Sequence, residues 1–394
     1  NINILFSLLG GIVYLLIALL APQFRNDFLL FALYSSTIFT NFLLLDWLFQ
    51  AYDDYKFATI RSLAIRVLSI VAVFLFIKAE KDYVIYMMII TFSEMGSRFS
   101  NYFYARKKYV AFSISRRFLN FTKHLKSLFT LFLFRLVNGI SANLDKIMLG
   151  CFLSYYDVGI YSTGIKFVFL VIPLIETVGL VLFPKITISA KDSPALYLEN
   201  VKLNYRIILL LGIPMFVGLF LVSPEVLLLF AGEKFAFSSI VSRIMSICIL
   251  LVPLGDLLGS KTLLVFNKDR WLLICSTVVA LCNVIFNLIG IPLFGIVGAC
   301  VASVLCYFIA VFIRYSFTRR IIKLTIFSFE LFKYSLFTVP FIALYYVVNS
   351  AIKNSTPMLF GFIFTAIAIY FCELLLFRDK TALLILSKLT ARKK

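Results

Sequence analysis

A bundle of about twelve membrane-crossing α-helices is the fold this sequence predicts, and three observations predict it. The first is composition: of 394 residues, 62% are hydrophobic and only 14% charged, whereas soluble domains run nearer ~45–50% apolar and ~25% charged. The second is segmentation, because the apolar residues fall into stretches close to the roughly 20 residues that a hydrocarbon core about 30 Å thick requires. The third is where the charge lies. A net charge of +19 would suggest nucleic acid if it formed a patch on a soluble fold. Here the lysines and arginines collect between apolar stretches, which is membrane topology, and no nucleic-acid partner is expected.

Twelve stretches can be placed in order, at 2–21, 28–50, 57–78, 83–103, 127–153, 156–184, 203–222, 237–265, 271–289, 293–313, 332–350 and 357–377. Length, not periodicity, separates them from buried soluble helices. The connection after the fourth holds Arg106, Lys107, Lys108, Arg116, Arg117, Lys123, Lys126 and the single histidine, His124, but no acid. It is expected on the cytoplasmic side. Every second connection after it is basic as well: Lys185, Lys191 and Lys202; Lys268 and Arg270; Arg314, Arg319, Arg320, Lys323 and Lys333; and the tail Arg392-Lys393-Lys394. The turns between hold Lys234, Lys353 or short links such as Gly290-Ile291-Pro292. Both termini are therefore expected in the cytoplasm, with anionic lipids as partners of the basic connections. Arg243 and Lys261 are expected to snorkel to a membrane surface, and Glu225, after Ser223-Pro224, to begin a short interfacial helix. The chain opens on Asn1 rather than methionine. A cleaved signal peptide would leave a periplasmic start, so truncation is the expectation.

Several chemistries are disfavoured. The seven cysteines are odd in number and lack a C-x-x-C pair, reading as small buried hydrophobes. One histidine supports neither a histidine metal site nor a Ser-His or Cys-His catalyst, so no catalytic residue, metal or cofactor is expected. Gly255-Asp256-Leu257-Leu258-Gly259-Ser260-Lys261-Thr262 resembles a phosphate loop, but Ser260 stands where that motif needs glycine and no strand precedes it. A polymerase or transferase would need a sizeable periplasmic loop, and none is predicted. Gly295, Gly298, Ala299 and Ala302 are small residues spaced for close helix packing.

Ionisable side chains inside a membrane helix cost roughly 2.5–3.5 kcal/mol each on insertion scales, so they usually face water or a partner. They fall here on helical stripes. The fourth stretch aligns Glu94, Ser97, Arg98 and Asn101; the fifth aligns Arg135, Asn138, Ala142 and Asp145. The third offers Ser62, Arg66 and Ser69, and the sixth Ser162, Lys166, Pro173, Glu176 and Thr177. One reading is a wet cavity whose cations Arg66, Arg98, Arg135 and Lys166 meet a pyrophosphate, with Glu94, Asn101, Asn138, Asp145 and Glu176 as its polar or ion-coupling groups. The plainer reading is that these charges pair with Glu94, Asp145 and Glu176 to brace the bundle.

Asp46-Trp47-Leu48-Phe49-Gln50-Ala51-Tyr52, then Arg61, then Asp82-Tyr83 resembles the "DWLFQG", "R", "DY" series of bacterial O-antigen (Wzx-type) flippases of the polysaccharide transport family, with Ala51 for the usual glycine. Asp145-Lys146-Ile147-Met148-Leu149-Gly150, Val158-Gly159-Ile160-Tyr161, Pro184, and Phe294-Gly295-Ile296-Val297-Gly298-Ala299 are similar to later parts of such transporters. The resemblance implies an exporter-superfamily bundle of two six-helix lobes working by alternating access. It implies an N-terminal lobe at 1–103 lacking its first two helices, an inter-lobe loop at 104–126, a C-terminal lobe at 127–313, and two extra helices with a basic tail at 314–394. The implied activity is translocation of an undecaprenyl-pyrophosphate-linked oligosaccharide, an O-antigen or capsule unit, to the periplasmic face of the inner membrane. No enzyme activity is implied; H+ or Na+ coupling and other polysaccharide assembly proteins as partners are open. A multidrug exporter of the same superfamily would need a more acidic cavity, and a purely structural scaffold would leave the polar stripes without explanation.

Overall fold

The computed structural model describes residues 2–20, 27–52, 54–109, 139, 143–325, 328–354 and 356–384. Among these the regular structure is helical throughout. Arg135 and Asn138, the loop residues Arg116, Arg117, Lys123, His124 and Lys126, and the Arg392-Lys393-Lys394 tail lie outside the described residues. Among the described residues, eight helical stretches are long and apolar enough to cross a membrane. The chain divides into two compact units, Asn1–Leu133 and Phe134–Lys394.

The first unit contains α1 (Ile2–Leu20), α2 (Phe28–Phe39), α3 (Asp46–Ala51), α4 (Tyr55–Phe76) and α5 (Tyr83–Lys108). The predicted stretch 28–50 is not one helix. Near the end of α2 the hydroxyls of Ser35, Ser36 and Thr37 donate to carbonyls three residues back, and Thr40 does so at four. Such bonds compete with the helical ladder, and the chain leaves α2 through a single 3-10 turn, Asn41–Leu43, before α3. Leu45, Leu48 and Phe49 of this corner bury against Ala105 of α5. The last turn of α5 carries Arg106, Lys107 and Lys108, cations that suit the negative end of a helix dipole.

In the second unit residues 143–152 form α6, followed by α7 (Tyr155–Asp192) and α8 (Pro194–Ala231), each 38 residues long. The basic connection expected at 185–202 is thus helical except for Ser193. A capping box between Ser154 and Asp157 starts α7, while Ser193 caps α8 with Pro194 in its first turn, where a missing N–H costs nothing. At ~1.5 Å per residue each helix is about 57 Å long, well beyond the hydrocarbon core.

Helix α8 also runs through Pro214 and Pro224, so Glu225 does not begin an interfacial helix. Each proline leaves the carbonyl four residues earlier without its helical donor. In both cases another helix supplies one: Tyr370 donates its hydroxyl to Leu210 at 2.8 Å, and Arg243 Nε donates to Phe220 at 3.1 Å. Satisfying freed backbone groups from neighbouring helices is what a membrane interior requires. Glu225 itself is buried and accepts from Tyr345 at 3.2 Å.

The stretch 237–265 becomes α9 (Ser238–Met245), α10 (Cys248–Leu258) and a π-helical turn, Gly259–Leu264. Lys261 on that turn is 4% exposed, correcting the snorkelling expectation. Its carboxylate partner, Asp256, lies on the preceding turn and anchors it inside. Helix α11 (Asp269–Thr318) joins two predicted stretches, and its break falls at Gly295, with φ +59°, rather than at Gly290-Ile291-Pro292. A Cβ on Gly298 would lie 1.9 Å from the Gly290 carbonyl oxygen, so only glycine lets the two halves close. The stretch 332–350 becomes α12 (Phe329–Leu336) and α13 (Val339–Asn354), followed by α14 (Thr356–Leu376). All three pack on α8.

Candidate functional site

In the first unit, α4 and α5 lie side by side and join through Ser69 and Ser93, whose hydroxyls are 2.6 Å apart. Arg66 is at the middle of α4, about 17 Å from its start and about 15 Å from its end at ~1.5 Å per residue. It is exposed and, among the described residues, has neither an ion pair nor a hydrogen bond. Arg98 is held differently. Its Nη1 donates to the Thr37 carbonyl and to Thr40 Oγ1, and its Nη2 lies 3.4 Å from Glu94. Its side chain ties α5 to the end of α2, with Glu94 beside it. Asn101 is buried and donates to Asp46 at 3.2 Å.

The motif around Asp46 proves to be a joint. Arg61 reaches the same Asp46 oxygen at 3.4 Å and lies over the Phe57 ring. Just before α4, Asp54 accepts from Tyr104 at 2.8 Å, Lys108 at 2.7 Å and the Tyr109 hydroxyl. Those bonds, Lys108 foremost, hold the Asp54 carboxyl well below the usual carboxylate range, and the same contacts push the Lys108 ammonium up. Phe57 stacks on Tyr104 and Tyr52 on Tyr109. Sequence reasoning met Asp46 and Arg61 only as a family signature, and Asp54 and Tyr104 not at all; the latter two are joined across 50 residues.

In the second unit, Asp145 on α6 accepts from four side chains. Tyr161 of α7 is at 2.8 Å, Asn283 and Asn287 of α11 are at 3.0 and 2.7 Å, and Ser303 completes the set. The network joins three helices, and its outer members Asn287, Ser303 and Tyr161 are buried. Hard oxygens converge there: the carboxylate and Asn287 Oδ1, which is buried without a partner. They are the donor type that suits a hard cation. Among the described residues no group of three or more His, Cys, Asp or Glu could hold a metal ion.

Lys166 lies about 17 Å from the start of α7 at ~1.5 Å per residue. Like Arg66 it is exposed and, among the described residues, unpaired. Glu176 is half-buried. Of the four cations singled out from the sequence, then, Arg66 and Lys166 are free to meet an anion, Arg98 is engaged, and Arg135 lies outside the described residues. Exposed guanidinium and ammonium groups at mid-span can bind phosphate oxygens.

Residues 2–189 match a family described as polysaccharide biosynthesis protein. Over 190 residues, 47% of this chain, the sequence is 27% identical to the probable low-salt glycan biosynthesis flippase Agl15 of Haloferax volcanii. That match spans about two fifths of the relative, 40% of its length. The solved structure of the lipid II flippase MurJ in an inward closed conformation superposes with a TM-score of 0.77, at 18% identity, over 95% of this chain and 82% of that one. The chain has the MurJ fold and is a multi-pass helical membrane protein.

Proposed function

We propose that the chain is a flippase for a lipid-linked oligosaccharide. The observation that carries this reading is the pair of exposed, unpaired cations at mid-span, Arg66 on α4 and Lys166 on α7. A cation facing lipid there would cost roughly 2.5–3.5 kcal/mol on insertion scales, a cost that an anionic headgroup in a wet site removes. The family match and the names of the two relatives agree with a glycan carried on a lipid. The specific substrate we infer is an undecaprenyl-pyrophosphate-linked O-antigen or capsule unit, moved by alternating access from the cytoplasmic to the periplasmic face of a bacterial inner membrane. Both termini are then cytoplasmic, the basic connections meet anionic lipids, and other polysaccharide assembly proteins receive the product. Asp145 and Glu176 are the acids we assign to coupling the cycle to H+ or Na+.

The test is translocation of a fluorescent polyprenyl-pyrophosphate oligosaccharide in proteoliposomes of the complete protein. A charge-assisted contact contributes about 1.5–3 kcal/mol, so Arg66→Ala and Lys166→Ala should each lower substrate affinity about tenfold or more at about 1.4 kcal/mol per decade. Arg66→Lys should recover part of it. Both alanine variants working at the parent rate and affinity would sink the phosphate role.

A further inference from the structure

About 15 Å along α7 from Lys166, at ~1.5 Å per residue, α7, α8 and α10 enclose a cluster of charged and polar side chains that includes Glu176. Lys261 of the π turn is 4% exposed, and its Nζ lies 2.9 Å from Asp256 on α10. One turn beyond Glu176 on α7 is Gly179. A Cβ there would stand 2.4 Å from Lys261 Nζ and 3.5 Å from Asn204 Oδ1 of α8, so the ammonium rests directly on the α7 backbone. Asn204 is 1% exposed, and neither its Oδ1 nor its Nδ2 has a partner. Glu176, half-buried on the same face of α7 as Gly179, has no hydrogen bond or ion pair among the described residues.

The polar and charged groups of this region come from several elements. From α8 come Asn204 and Tyr197, the latter holding the Lys261 carbonyl at 2.9 Å. From α10 and the π turn come Asp256 and Lys261. Arg243 of α9 is occupied by the Phe220 carbonyl. Arg314 of α11 donates to the Gly255 carbonyl at 2.9 Å and lies against Gly259. Asp256 alone is paired with the ammonium, and Glu176 is the second carboxylate, one turn along α7 from the backbone on which that ammonium rests. With both ionised the cluster carries an excess negative charge in a poorly hydrated place, which is costly; one bound proton removes it.

We propose that Glu176, Asp256 and Lys261 form a proton-binding site, in which one proton is held by the two carboxylates and Lys261 pairs with whichever remains ionised. The proton adds to a carboxylate oxygen, and no other bond changes. Gly179 leaves the room in which the ammonium moves between Asp256 and Glu176. The π turn frees local backbone geometry, a device common at functional positions, and Asp256, whose side chain is 34% exposed, gives the proton a way in. Coupling of this proton to transport rests on the flippase reading above; proton binding does not.

The experiment is difference infrared spectroscopy of the complete protein in nanodiscs, following the carboxylic C=O band as pH is stepped in H2O and D2O. The parent should show a titrating band that Glu176→Gln removes or strongly weakens. Lys261→Met should raise its midpoint by about one to three pH units, because an adjacent positive charge lowers a carboxyl pKa by that much. Gly179→Ala, which crowds the ammonium without removing it, should move the midpoint the same way in a protein that still folds. An unchanged band in Glu176→Gln, or an unmoved midpoint in both Gly179→Ala and Lys261→Met, overturns the proposal. So does a midpoint that follows sodium concentration, which would make this a metal-cation site. In proteoliposomes, Glu176→Gln should flatten the pH dependence of oligosaccharide translocation, and an unchanged profile would remove the coupling role. If the parent translocates nothing, the flippase reading fails while the infrared result stands.

Discussion

Replacing Asp145 with alanine removes the acceptor on which Tyr161, Asn283, Asn287 and Ser303 converge. Asn287 and Ser303 are 0% and 3% exposed and Tyr161 is 2% exposed, so these donors lose their acceptor where little water reaches them. Hydrogen bonds between membrane helices average about 0.6 kcal/mol and reach about 1.7 kcal/mol. Four together, with a charged acceptor, place the expected loss at about 3 kcal/mol, above the average because charged partners contribute more. Asp145→Asn should lose less, since it keeps one acceptor oxygen while turning two donors toward Asn283 and Asn287. The assay is equilibrium unfolding in mixed detergent–lipid micelles, followed by tryptophan fluorescence and circular dichroism. A loss below about 1 kcal/mol in Asp145→Ala would be within the effect of a single membrane hydrogen bond and would refute the account of this network as the clasp between α6, α7 and α11.

Two other perturbations probe different parts of the fold. Tyr370→Phe should destabilise by about 1 kcal/mol, because the Leu210 carbonyl freed by Pro214 loses its donor. Pro214→Ala restores a backbone N–H, so the Tyr370→Phe cost should shrink in that background; equal costs in the two backgrounds would contradict the proline argument. Asp379, just after α14, accepts from Lys333 at 2.5 Å and from the Thr381 and Ala382 amides. Burial pushes its carboxyl up, but Lys333, the Ala382 amide and Tyr334 outweigh that and leave it lowered. A folded-state pKa below the unfolded one contributes stability above the ordinary carboxylate range, and that stability is lost as pH falls through the folded value. Between about pH 5 and pH 3, around the ordinary Asp value of about 3.9, unfolding of the parent should therefore steepen relative to Asp379→Asn. Parallel pH profiles would show that Asp379 contributes nothing.

The membrane-spanning helical character of this chain was legible from length, composition and the placement of cations, because burial in hydrocarbon acts residue by residue and leaves a one-dimensional trace. Local chemistry was also legible in part: Arg66 and Lys166 stand out simply by being charged in apolar stretches. What sequence spacing left undecided depended on which helices touch. Arg98 resembled Arg66 on its stripe until Thr37 and Thr40 were found to hold it. Lys261 reads as a surface lysine because its position near a stretch end says nothing of Gly179 and Asn204 arriving from two other helices. Glu225 lost its expected role because Arg243 and Tyr370 make prolines tolerable inside α8. Pairings between residues 50 to 160 positions apart, such as Tyr104 with Asp54 and Tyr370 with Leu210, leave no periodic signal in a chain, and only packing decides them.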